Sequence, residues 1–341
     1  MEKIIVTGAA GFIGAALINK LLENNYKVVG IDNLNDYYDI KLKQDRLKNI
    51  EKINYKNIDN WFFEKCNLVN YIEIEKIFIN YKPDIVINLA AQAGVRYSIK
   101  NPKAYIESNL LGFYNILELS RKYNVRNFIF ASSSSVYGGN KELPFCENHT
   151  VNHPVNLYGA SKVSNEVIAH SYSYLFKIPI TGLRFFTVYG PWGRPDMAPF
   201  IFTKLMLKGE EIVLNKRGTM MRDFTYIDDI VEGIYKCAKK PATPTSNFSK
   251  VNYDPSISEA PFRLFNIGNG FPIKIIDFVE ILEDILNIRA IKKYSDNTPG
   301  EMDNTEADTK KLEDWIKFKP KIELRTGTKY FVDWFKEYYS F

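Results

Sequence analysis

The sequence predicts an α/β protein with a doubly wound parallel sheet and a smaller, discontinuous α/β substrate domain. Three observations support this prediction. Up to residue 185, short apolar runs alternate with amphipathic helical stretches, which is typical of parallel strands joined by helices. A glycine-rich turn at 8–14 joins the first apolar run to the first helical stretch. After residue 185 the alternation weakens, and loops rich in glycine and proline become frequent.

Each element of the first region is predicted from its own pattern. The strands are short apolar runs bounded by turn residues, and the helices repeat apolar residues every three or four positions. The predicted strands are Lys3–Thr7, Lys27–Ile31, Trp61–Cys66, Asp84–Asn88, Asn127–Ala131 and Ile180–Arg184. The predicted helices are Phe12–Glu23, Ile72–Tyr81, Ala104–Tyr123 and Leu157–Phe176. A sheet of this kind binds ligands at the carboxyl ends of its strands.

The second region contains further helices and an exposed loop. The segment 241–261 is rich in Pro, Ser, Thr and Asn and has little apolar periodicity, so we expect a loop there. We predict a cofactor-binding domain over 1–185, joined by about 224–262, and a substrate-binding domain made of 186–223 and 263–341. The predicted elements of this region are the helices Phe200–Lys208, Ile227–Lys239, Ile275–Leu286 and Thr326–Tyr339 and the strand Leu264–Ile267.

Composition limits the classes of function. The chain has 341 residues, of which 45% are hydrophobic and 25% charged, as in an ordinary globular protein. Its net charge of +5 is spread along the chain without a basic block, which argues against nucleic-acid binding. The apolar stretch at 4–18 is too short for a membrane span, which needs about 20 residues. Three separated cysteines and three histidines form no disulfide or metal pattern, so we expect a reducing cytoplasm and no metal.

The glycine turn has the spacing of a dinucleotide-binding loop. Gly8, Gly11 and Gly14 follow a predicted strand and open a predicted helix, so the backbone can approach a diphosphate at the helix N-terminus. Asp32 ends the next strand about 20 residues later, where a carboxylate binds the adenosine ribose and disfavours the extra phosphate of NADP. The cofactor predicted from this pattern is NAD.

A tyrosine–lysine pair and a serine run indicate proton-transfer chemistry. Tyr158 and Lys162 share one face of a predicted helix, so the ammonium can lower the pKa of the phenol. Ser133 and Ser135 project to the same side if the strand continues through them, and either hydroxyl can hydrogen-bond the reacting oxygen. These groups suit removal of a proton from a sugar or alcohol hydroxyl while hydride leaves the same carbon.

Together, these features resemble the extended short-chain dehydrogenase/reductase superfamily. Within it the chain is similar to the nucleotide-sugar 4-epimerases, and to the UDP-glucuronate 4-epimerases in particular, over nearly its whole length. The loop at 241–261 also resembles an insertion found in that group. The resemblance is carried by the glycine turn, Asp32, Leu89-Ala90-Ala91, the serine run, Tyr158, Lys162 and the stretches 32–39, 92–98, 184–196 and 221–230.

The resemblance implies a Rossmann-type NAD-binding domain and a UDP-sugar substrate. The implied activity interconverts UDP-glucuronate and UDP-galacturonate through a transient 4-keto sugar, in surface-polysaccharide synthesis. A homodimer is implied through the helices Ala104–Tyr123 and Leu157–Phe176. The implied catalytic residues are Ser133, Ser135, Tyr158 and Lys162. The implied NAD-binding residues are Gly8, Gly11, Phe12, Ile13, Gly14, Asp32, Asn33, Asn35, Asn67, Leu68, Leu89, Ala90, Ala91, Gln92, Tyr158 and Lys162. The implied substrate-binding residues are Arg96, Ser133, Thr187, Arg194, Phe200, Ile201 and Arg222.

Four positions bear on which reaction the chain performs. Dehydratases of the superfamily that it resembles have Asp-Glu where this chain has Ser134 and Ser135, and UDP-glucuronate decarboxylases have Glu at the position of Ser135. Eliminating water needs such an added acid and base. The serines therefore favour epimerisation. Thr187 and Arg194 favour an acidic sugar, because a guanidinium binds a carboxylate through charge-assisted hydrogen bonds. The alternatives are a 4-epimerase of UDP-glucose or UDP-N-acetylglucosamine, a UDP-glucuronate decarboxylase and a catalytically silent NAD-binding regulator.

Two segments depart from the family pattern. Lys65-Cys66-Asn67-Leu68 stands where the family has Gly-Asp-Leu or Gly-Asp-Ile, and the amide oxygen of Asn67 can still accept a hydrogen bond from the adenine amine. Pro299-Gly300-Glu301-Met302-Asp303 replaces the usual Pro-Gly-Asp next to the nucleotide.

Overall fold

Strands and helices alternate along the chain, and the computed structural model describes residues 1–246, 248–249, 251, 253–296, 300 and 302–341. The strands are β1 Lys3–Thr7, β2 Lys27–Asp32, β3 Trp61–Lys65, β4 Ile85–Asn88, β5 Asn127–Ser133, β6 Ile180–Phe185, β7 Thr187–Tyr189, β8 Ile212–Asn215, β9 Met221–Tyr226, β10 Phe262–Ile267, β11 Pro272–Lys274 and β12 Lys292–Ser295. The helices are α1 Phe12–Glu23, α2 Ile40–Ile53, α3 Tyr71–Tyr81, α4 Val95–Lys100, α5 Pro102–Tyr105, α6 Gly112–Lys122, α7 Leu157–Phe176, α8 Ala198–Leu207, α9 Ile227–Lys239, α10 Ile275–Leu286, α11 Lys310–Ile316 and α12 Leu324–Tyr339. A π-helical stretch, Ile106–Leu111, joins α5 to α6, and short 3-10 turns span Tyr55–Asn60, Ser134–Tyr137 and Lys216–Gly218.

A seven-stranded parallel sheet forms the centre of the larger domain. Its strand order is β10-β6-β5-β4-β1-β2-β3, and each pairing within it is parallel. From β1 the chain moves outward through β2 and β3, and then in the opposite direction through β4, β5 and β6. This reversal leaves a crevice at the carboxyl ends of β1 and β4, where doubly wound sheets bind ligands. The predicted fold class is confirmed.

Both faces of this sheet are buried, which explains why its strands are continuous apolar runs. In β1, Ile4 and Val6 belong to the core on one face, while Ile5 between them belongs to the core on the other. Helices α1 and α9 cover the first face, and α3, α6 and α7 cover the second. Because helices cover both faces, the ends of the strands are the part of the sheet that stays accessible.

Strand β10 bears on the boundary predicted between the two domains. The prediction places 263–341 in the substrate-binding domain, but β10 pairs with β6 at the edge of the seven-stranded sheet. We therefore propose that the larger domain extends to Ile267. The smaller region contains a three-stranded sheet of order β11-β9-β7 and a two-stranded sheet of β12 and β8.

Helix α2 is absent from the sequence-based prediction because of the residues that it buries. These residues are Leu42, Lys43, Arg46 and Ile50, which share one face of the helix. Two of the four are charged, so the segment lacks the apolar repeat that predicts a helix. A helix with buried charges must satisfy them with specific partners.

Within the described residues, no helix is long and apolar enough to span a bilayer. In the same part of the chain, no group of three or more His, Cys, Asp or Glu side chains is placed to hold a metal ion. The three cysteines are free. Burial raises the pKa of the Cys66 and Cys237 thiols to about 12, so both stay protonated near neutral pH.

Candidate active site

The glycine turn closes tightly against the start of α1. Gly8 has a φ of +72°, a conformation that favours glycine. Its carbonyl oxygen accepts a hydrogen bond from Gly11 N–H at 3.0 Å, and a Cβ on Gly14 would lie 2.1 Å from that oxygen. Gly11 caps α1 without a side-chain hydrogen bond. The first-turn amides of Phe12 and Ile13 are therefore left for an anionic ligand.

We expect Gly14→Ala to destabilise the protein and release its cofactor, because the added Cβ would overlap the Gly8 carbonyl oxygen and push the turn away from α1. Overpacking of this kind costs about 1–3 kcal/mol. Urea unfolding and the NAD content after dialysis measure the two effects. Gly139→Ala is the control, since the nearest heavy atom to its Cβ would be 3.8 Å away. An unchanged NAD content in Gly14→Ala would contradict the expectation.

The end of β2 carries a polar cluster that suits the adenosine ribose. Asp32 accepts hydrogen bonds from Ala10 N–H at 3.1 Å and Leu34 N–H at 2.8 Å, so its carboxylate lies beside the glycine turn. Asn35 accepts from the Lys43 ammonium at 2.6 Å through its side chain and at 2.7 Å through its carbonyl. Burial lowers the pKa of Lys43, and the Asp32 carboxylate opposes this shift.

Lys43 is a residue of this cluster that sequence reasoning missed. It lies on α2, and the sequence feature that could have identified it is its position on the same helix face as Leu42 and Ile50. Asn33 joins the same cluster by accepting from Asn35 N–H at 3.1 Å. Free helix amides, a carboxylate and an ammonium are donors and acceptors that fit the diphosphate and ribose hydroxyls of NAD.

The other predicted NAD-binding residues lie along the same edge of the sheet. Residues 89–91 follow β4, and Ala90 N–H donates to the Thr7 hydroxyl at 3.1 Å. Leu68 is buried and Asn67 is exposed. The Asn67 side-chain oxygen accepts from Val69 N–H at 3.2 Å, which leaves its second lone pair for the adenine amine.

Gln92 is held by Asn109, which sequence reasoning also missed. Gln92 N–H donates to the Asn109 side-chain oxygen at 2.7 Å, and the Asn109 amide donates to the Gln92 carbonyl at 3.0 Å. The same amide donates to the Ser161 hydroxyl on α7 at 3.0 Å. Asn109 lies in the π-helical stretch, a distortion that is frequent at functional sites. In the sequence, Asn109 could have been recognised as a polar residue at a buried position of a predicted helix.

Tyr158 and Ser133 meet at the carboxyl end of β5. The strand ends at Ser133, and Asn156 caps α7 by accepting from Gly159 N–H at 2.7 Å. The Ser133 hydroxyl hydrogen-bonds the Tyr158 phenol. Lys162 Nζ lies 5.9 Å from the centre of the phenol ring. The structure therefore brings together three of the four predicted catalytic side chains.

The prediction that Ser135 continues the extended strand is wrong. Residues Ser134–Tyr137 form a 3-10 turn. Ser135 N–H donates to the Ser133 hydroxyl oxygen at 3.1 Å, so the main chain of Ser135 helps to orient that hydroxyl. Alternation of side chains stops at Ser133, and a catalytic role for the Ser135 hydroxyl stays a prediction.

The surroundings of the phenol set its acidity. Burial raises the pKa of Tyr158, and the hydrogen bond with Ser133 and the positive charge of Arg194 lower it. The negative charge of Asp196 raises it further. Arg194 is thus a cation that favours the phenolate form of Tyr158.

Lys162 is turned toward the strand. Burial lowers the pKa of its ammonium to about 8, against the opposing charge of Glu166. The ammonium donates to the Ala131 carbonyl at 2.8 Å. We predicted that Lys162 lowers the pKa of the Tyr158 phenol, and this stays a prediction for the complex with NAD.

A buried ion pair lies behind these residues. Arg184 donates two hydrogen bonds of 2.9 Å to Glu166, and the two side chains are 1% and 5% exposed. The Ser132 hydroxyl donates to the same carboxylate at 2.5 Å. Ser132 lies on β5 just before Ser133, Glu166 lies on α7 one turn after Lys162, and Arg184 lies on β6. Their hydrogen bonds therefore connect the two strands and the helix around the catalytic residues.

The loop at 190–196 brings Arg194 to the same site. Arg194 Nε and Nη2 donate to the Asp196 carboxylate at 3.0 and 2.5 Å. Asp196 also accepts from the Tyr37 hydroxyl at 2.9 Å, and the Tyr37 ring packs against Tyr97 with centroids 4.7 Å apart. The pair with Asp196 uses Nε and Nη2 of Arg194, and the Tyr37 hydroxyl also interacts with the guanidinium.

Three other predicted substrate residues lie on neighbouring elements. Thr187 is half-buried at the start of β7, and Arg96 is exposed on α4. Arg222 on β9 donates to the main-chain carbonyls of Met221 and Asp303 at 2.8 and 3.0 Å. These contacts hold Arg222 beside the segment that departs from the family pattern.

Phe200 and Ile201, the two remaining predicted substrate-binding residues, lie on α8. Phe200 is 4% exposed and packs against Phe335 with centroids 4.9 Å apart, which makes it part of the core. Ile201 is 38% exposed. Pro299 and Glu301 of the neighbouring segment lie outside the described residues. The substrate contacts of Phe200 and Ile201 stay predictions.

Comparison with known proteins gives a family and several relatives. A model of the NAD dependent epimerase/dehydratase family matches residues 4–251. The protein CapI of Staphylococcus aureus is 51% identical over 338 residues, which cover 99% of each chain. A probable UDP-glucuronate 4-epimerase of Rhizobium meliloti is 39% identical over 339 residues, covering 99% of this chain and 98% of the relative.

A similar fold is found in the crystal structure of the UDP-glucuronic acid 4-epimerase from Bacillus cereus in complex with UDP-glucuronic acid and NAD. The TM-score is 0.86 and the sequence identity 33%, with 99% of this chain and 100% of that chain covered.

Proposed function

The chain belongs to the NAD dependent epimerase/dehydratase family, and we propose that it interconverts UDP-glucuronate and UDP-galacturonate. It is an NAD-dependent UDP-sugar 4-epimerase, which is an isomerase; the uronate is the proposed choice of sugar. One observation carries that choice. The positive charge of Arg194 lowers the pKa of the Tyr158 phenol, and the pair with Asp196 uses only Nε and Nη2, so a carboxylate on carbon 5 of the sugar would meet a guanidinium beside the catalytic phenol.

Tyr158 and Ser133 have different roles in proton transfer at carbon 4. Tyr158, as phenolate, takes the proton of the C4 hydroxyl, and Ser133 hydrogen-bonds the same oxygen as it becomes a carbonyl. NAD, when bound, supplies the hydride acceptor and donor. Lys162 holds the nicotinamide ribose, and its ammonium favours the phenolate. The 4-keto sugar then turns about its diphosphate linkage, and Tyr158 returns the proton to the inverted alcohol.

Ser134 and Ser135 support epimerisation over elimination. Both are buried beside Ser133 and carry hydroxyls where an elimination needs a carboxyl acid and base. A site with a single phenolate base suits loss and return of hydride at one carbon. A dehydratase would lack its acid–base pair here, and a decarboxylase would lack its glutamate.

The 4-keto uronate is a β-keto acid that tends to lose carbon dioxide, so holding its carboxylate matters. Thr187 and Arg194 are the proposed clamp. We expect Arg194→Ala to raise KM for UDP-glucuronate by about tenfold or more, since a hydrogen bond to a charged group contributes about 1.5–3 kcal/mol. UDP-glucose turnover should change less, and a pentose product should appear with the uronate.

Steady-state kinetics and NMR of the products check this expectation. Arg325→Ala is the matched control, because Arg325 is 61% exposed and pairs with Asp284 on the surface. Unchanged KM for UDP-glucuronate in Arg194→Ala, together with no pentose, would refute the clamp.

The proposed function is tested by incubating the purified protein with UDP-glucuronate, without added NAD, and identifying the product by NMR. UDP-galacturonate is the expected product. Turnover of UDP-glucose or UDP-N-acetylglucosamine alone would favour the neutral-sugar epimerase, and stoichiometric carbon dioxide would favour the decarboxylase. No turnover of any UDP-sugar despite bound NAD would favour the regulator.

We also propose a homodimer that forms through the surfaces of α6 and α7. Large apolar side chains are exposed on and just before these helices, which is a feature of interaction surfaces. They include Leu111, Tyr114, Val167, Tyr174 and Leu175, each between 43% and 67% exposed. Light scattering after gel filtration checks the mass. The cytoplasmic location and the role in surface-polysaccharide synthesis stay predictions.

A further inference from the structure

Arg46 is a buried cation that joins two loops. It lies on the buried face of α2 and is 1% exposed. Its Nη1 donates to the Ala10 carbonyl at 3.0 Å and to the Tyr38 hydroxyl at 2.7 Å. Its Nε and Nη2 donate to the Trp192 carbonyl at 3.1 and 2.7 Å, and Nη2 also donates to the Gly193 carbonyl at 3.1 Å. The guanidinium thus holds the glycine turn and the 190–196 loop at a fixed separation.

The five hydrogen bonds of this guanidinium go to four neutral oxygens. Within the described ranges no carboxylate pairs with Arg46, and a buried charge without a counter-ion is costly. Ala10 belongs to the turn that opens α1, so the positive charge lies directly behind the place where a diphosphate would bind. An anion there would compensate the charge.

The loop on the other side of Arg46 is held in a strained conformation. Trp192 has a φ of +63°, which is uncommon for a residue with a side chain. Its ring packs against Trp334 and Tyr338, with centroids 5.3 and 5.1 Å apart, and Tyr338 donates to Asp45 on α2 at 2.7 Å. Such strain persists where surrounding contacts determine it, and it is frequent at ligand-binding loops. Arg194 follows two residues later.

We propose that Arg46 is a positioning residue that couples the NAD site to the sugar site. Diphosphate in the glycine turn compensates its charge, and the guanidinium then fixes the loop that carries Arg194. The part played by Arg194 rests on the proposed function. An epimerase must keep carbon 4 aligned with the nicotinamide during removal and return of hydride, and a misplacement of about 1 Å can cost about 100-fold in rate. A planar guanidinium fork makes this bridge, whereas a lysine cannot.

Hydrogen–deuterium exchange tests the coupling without any sugar. In the wild-type protein stripped of NAD, adding NAD is expected to slow exchange in peptides covering 8–14 and also 190–196. In Arg46→Lys, which keeps the charge but loses the fork, NAD should protect 8–14 alone and bind about tenfold more weakly. Leu42→Ala is the matched control, since Leu42 is 0% exposed on the same face of α2 and lies outside both loops.

The control should lower the stability and keep both protected segments. Protection confined to 8–14 in the wild-type protein would overturn the proposal, and this result needs no variant to fold. Protection of 190–196 in Arg46→Lys would overturn it as well, because the loop would then respond without the fork.

Kinetics of the double variant test whether Arg46 acts through Arg194. Arg46→Lys alone should raise KM for UDP-glucuronate by about tenfold and change KM for UDP-glucose less. In the Arg194→Ala background the same change should have less than about a twofold effect, because the group that it positions is gone. If the effects of the two substitutions on KM multiply independently, the claim that Arg46 acts through Arg194 is overturned. If only neutral sugars are turned over, the proposed substrate fails, while the exchange experiment still decides the role of Arg46.

Discussion

Tyr158→Phe is expected to lower kcat by about 10²- to 10⁴-fold, the range that a positioned acid–base group contributes. The variant removes the phenol oxygen that hydrogen-bonds Ser133 at the end of β5 and leaves the ring in place. NAD should stay bound, because the glycine turn and the Asp32 cluster lie on other strands. The measurements are kcat with UDP-glucuronate and the NAD content of the purified variant.

Tyr174→Phe is the matched control, since Tyr174 lies on the same helix and is 44% exposed. It should keep wild-type kcat. If Tyr158→Phe retained more than a tenth of the wild-type kcat with NAD bound, another group would have to be the base.

Glu166→Gln is expected to lower the free energy of unfolding by about 3–5 kcal/mol, because it leaves the Arg184 guanidinium buried without its counter-ion. Total stabilities are about 5–15 kcal/mol, so this loss is a large share. Activity should fall too, since Ser132 would lose the carboxylate that it donates to. Urea unfolding of the NAD-free protein measures the stability.

Asp333→Asn provides the comparison, because it breaks a pair with Lys329 whose side chains are 57% and 63% exposed and should cost less than about 1 kcal/mol. The double variant Glu166→Leu with Arg184→Met should recover part of the stability by removing both charges. A loss below about 1 kcal/mol in Glu166→Gln would show that water or a rearrangement satisfies Arg184.

The parts of the fold that sequence reasoning predicted are those in which local pattern and burial agree. The first strand, α1 and α7 have continuous apolar runs or helical repeats, and the structure places them at the predicted bounds. The glycine turn and Tyr158 with Lys162 are equally local, because their spacing within one element defines their chemistry. The glycine turn with Asp32 predicted the cofactor, and the resemblance then supplied a class of substrate.

The remaining parts depend on distant contacts. Helix α2 was missed because Lys43 and Arg46 occupy its buried face, and their partners lie in loops far along the chain. Ser135 was misplaced because β5 ends in a 3-10 turn whose hydrogen bond goes to Ser133. Asn109 acts from a π-helical stretch inside what the pattern predicts as one helix. In each case a polar contact, rather than apolar periodicity, decides the geometry.

The position of β10 at the sheet edge also affects the protein while it is being made. The ribosome releases β6 long before Phe262–Ile267, since the whole of 186–261 lies between them. Until β10 emerges, β6 exposes a row of unpaired N–H and C=O groups, which is a template for pairing with another chain. The nascent protein therefore carries an open edge while residues 186–261 are synthesised, and β10 then closes it.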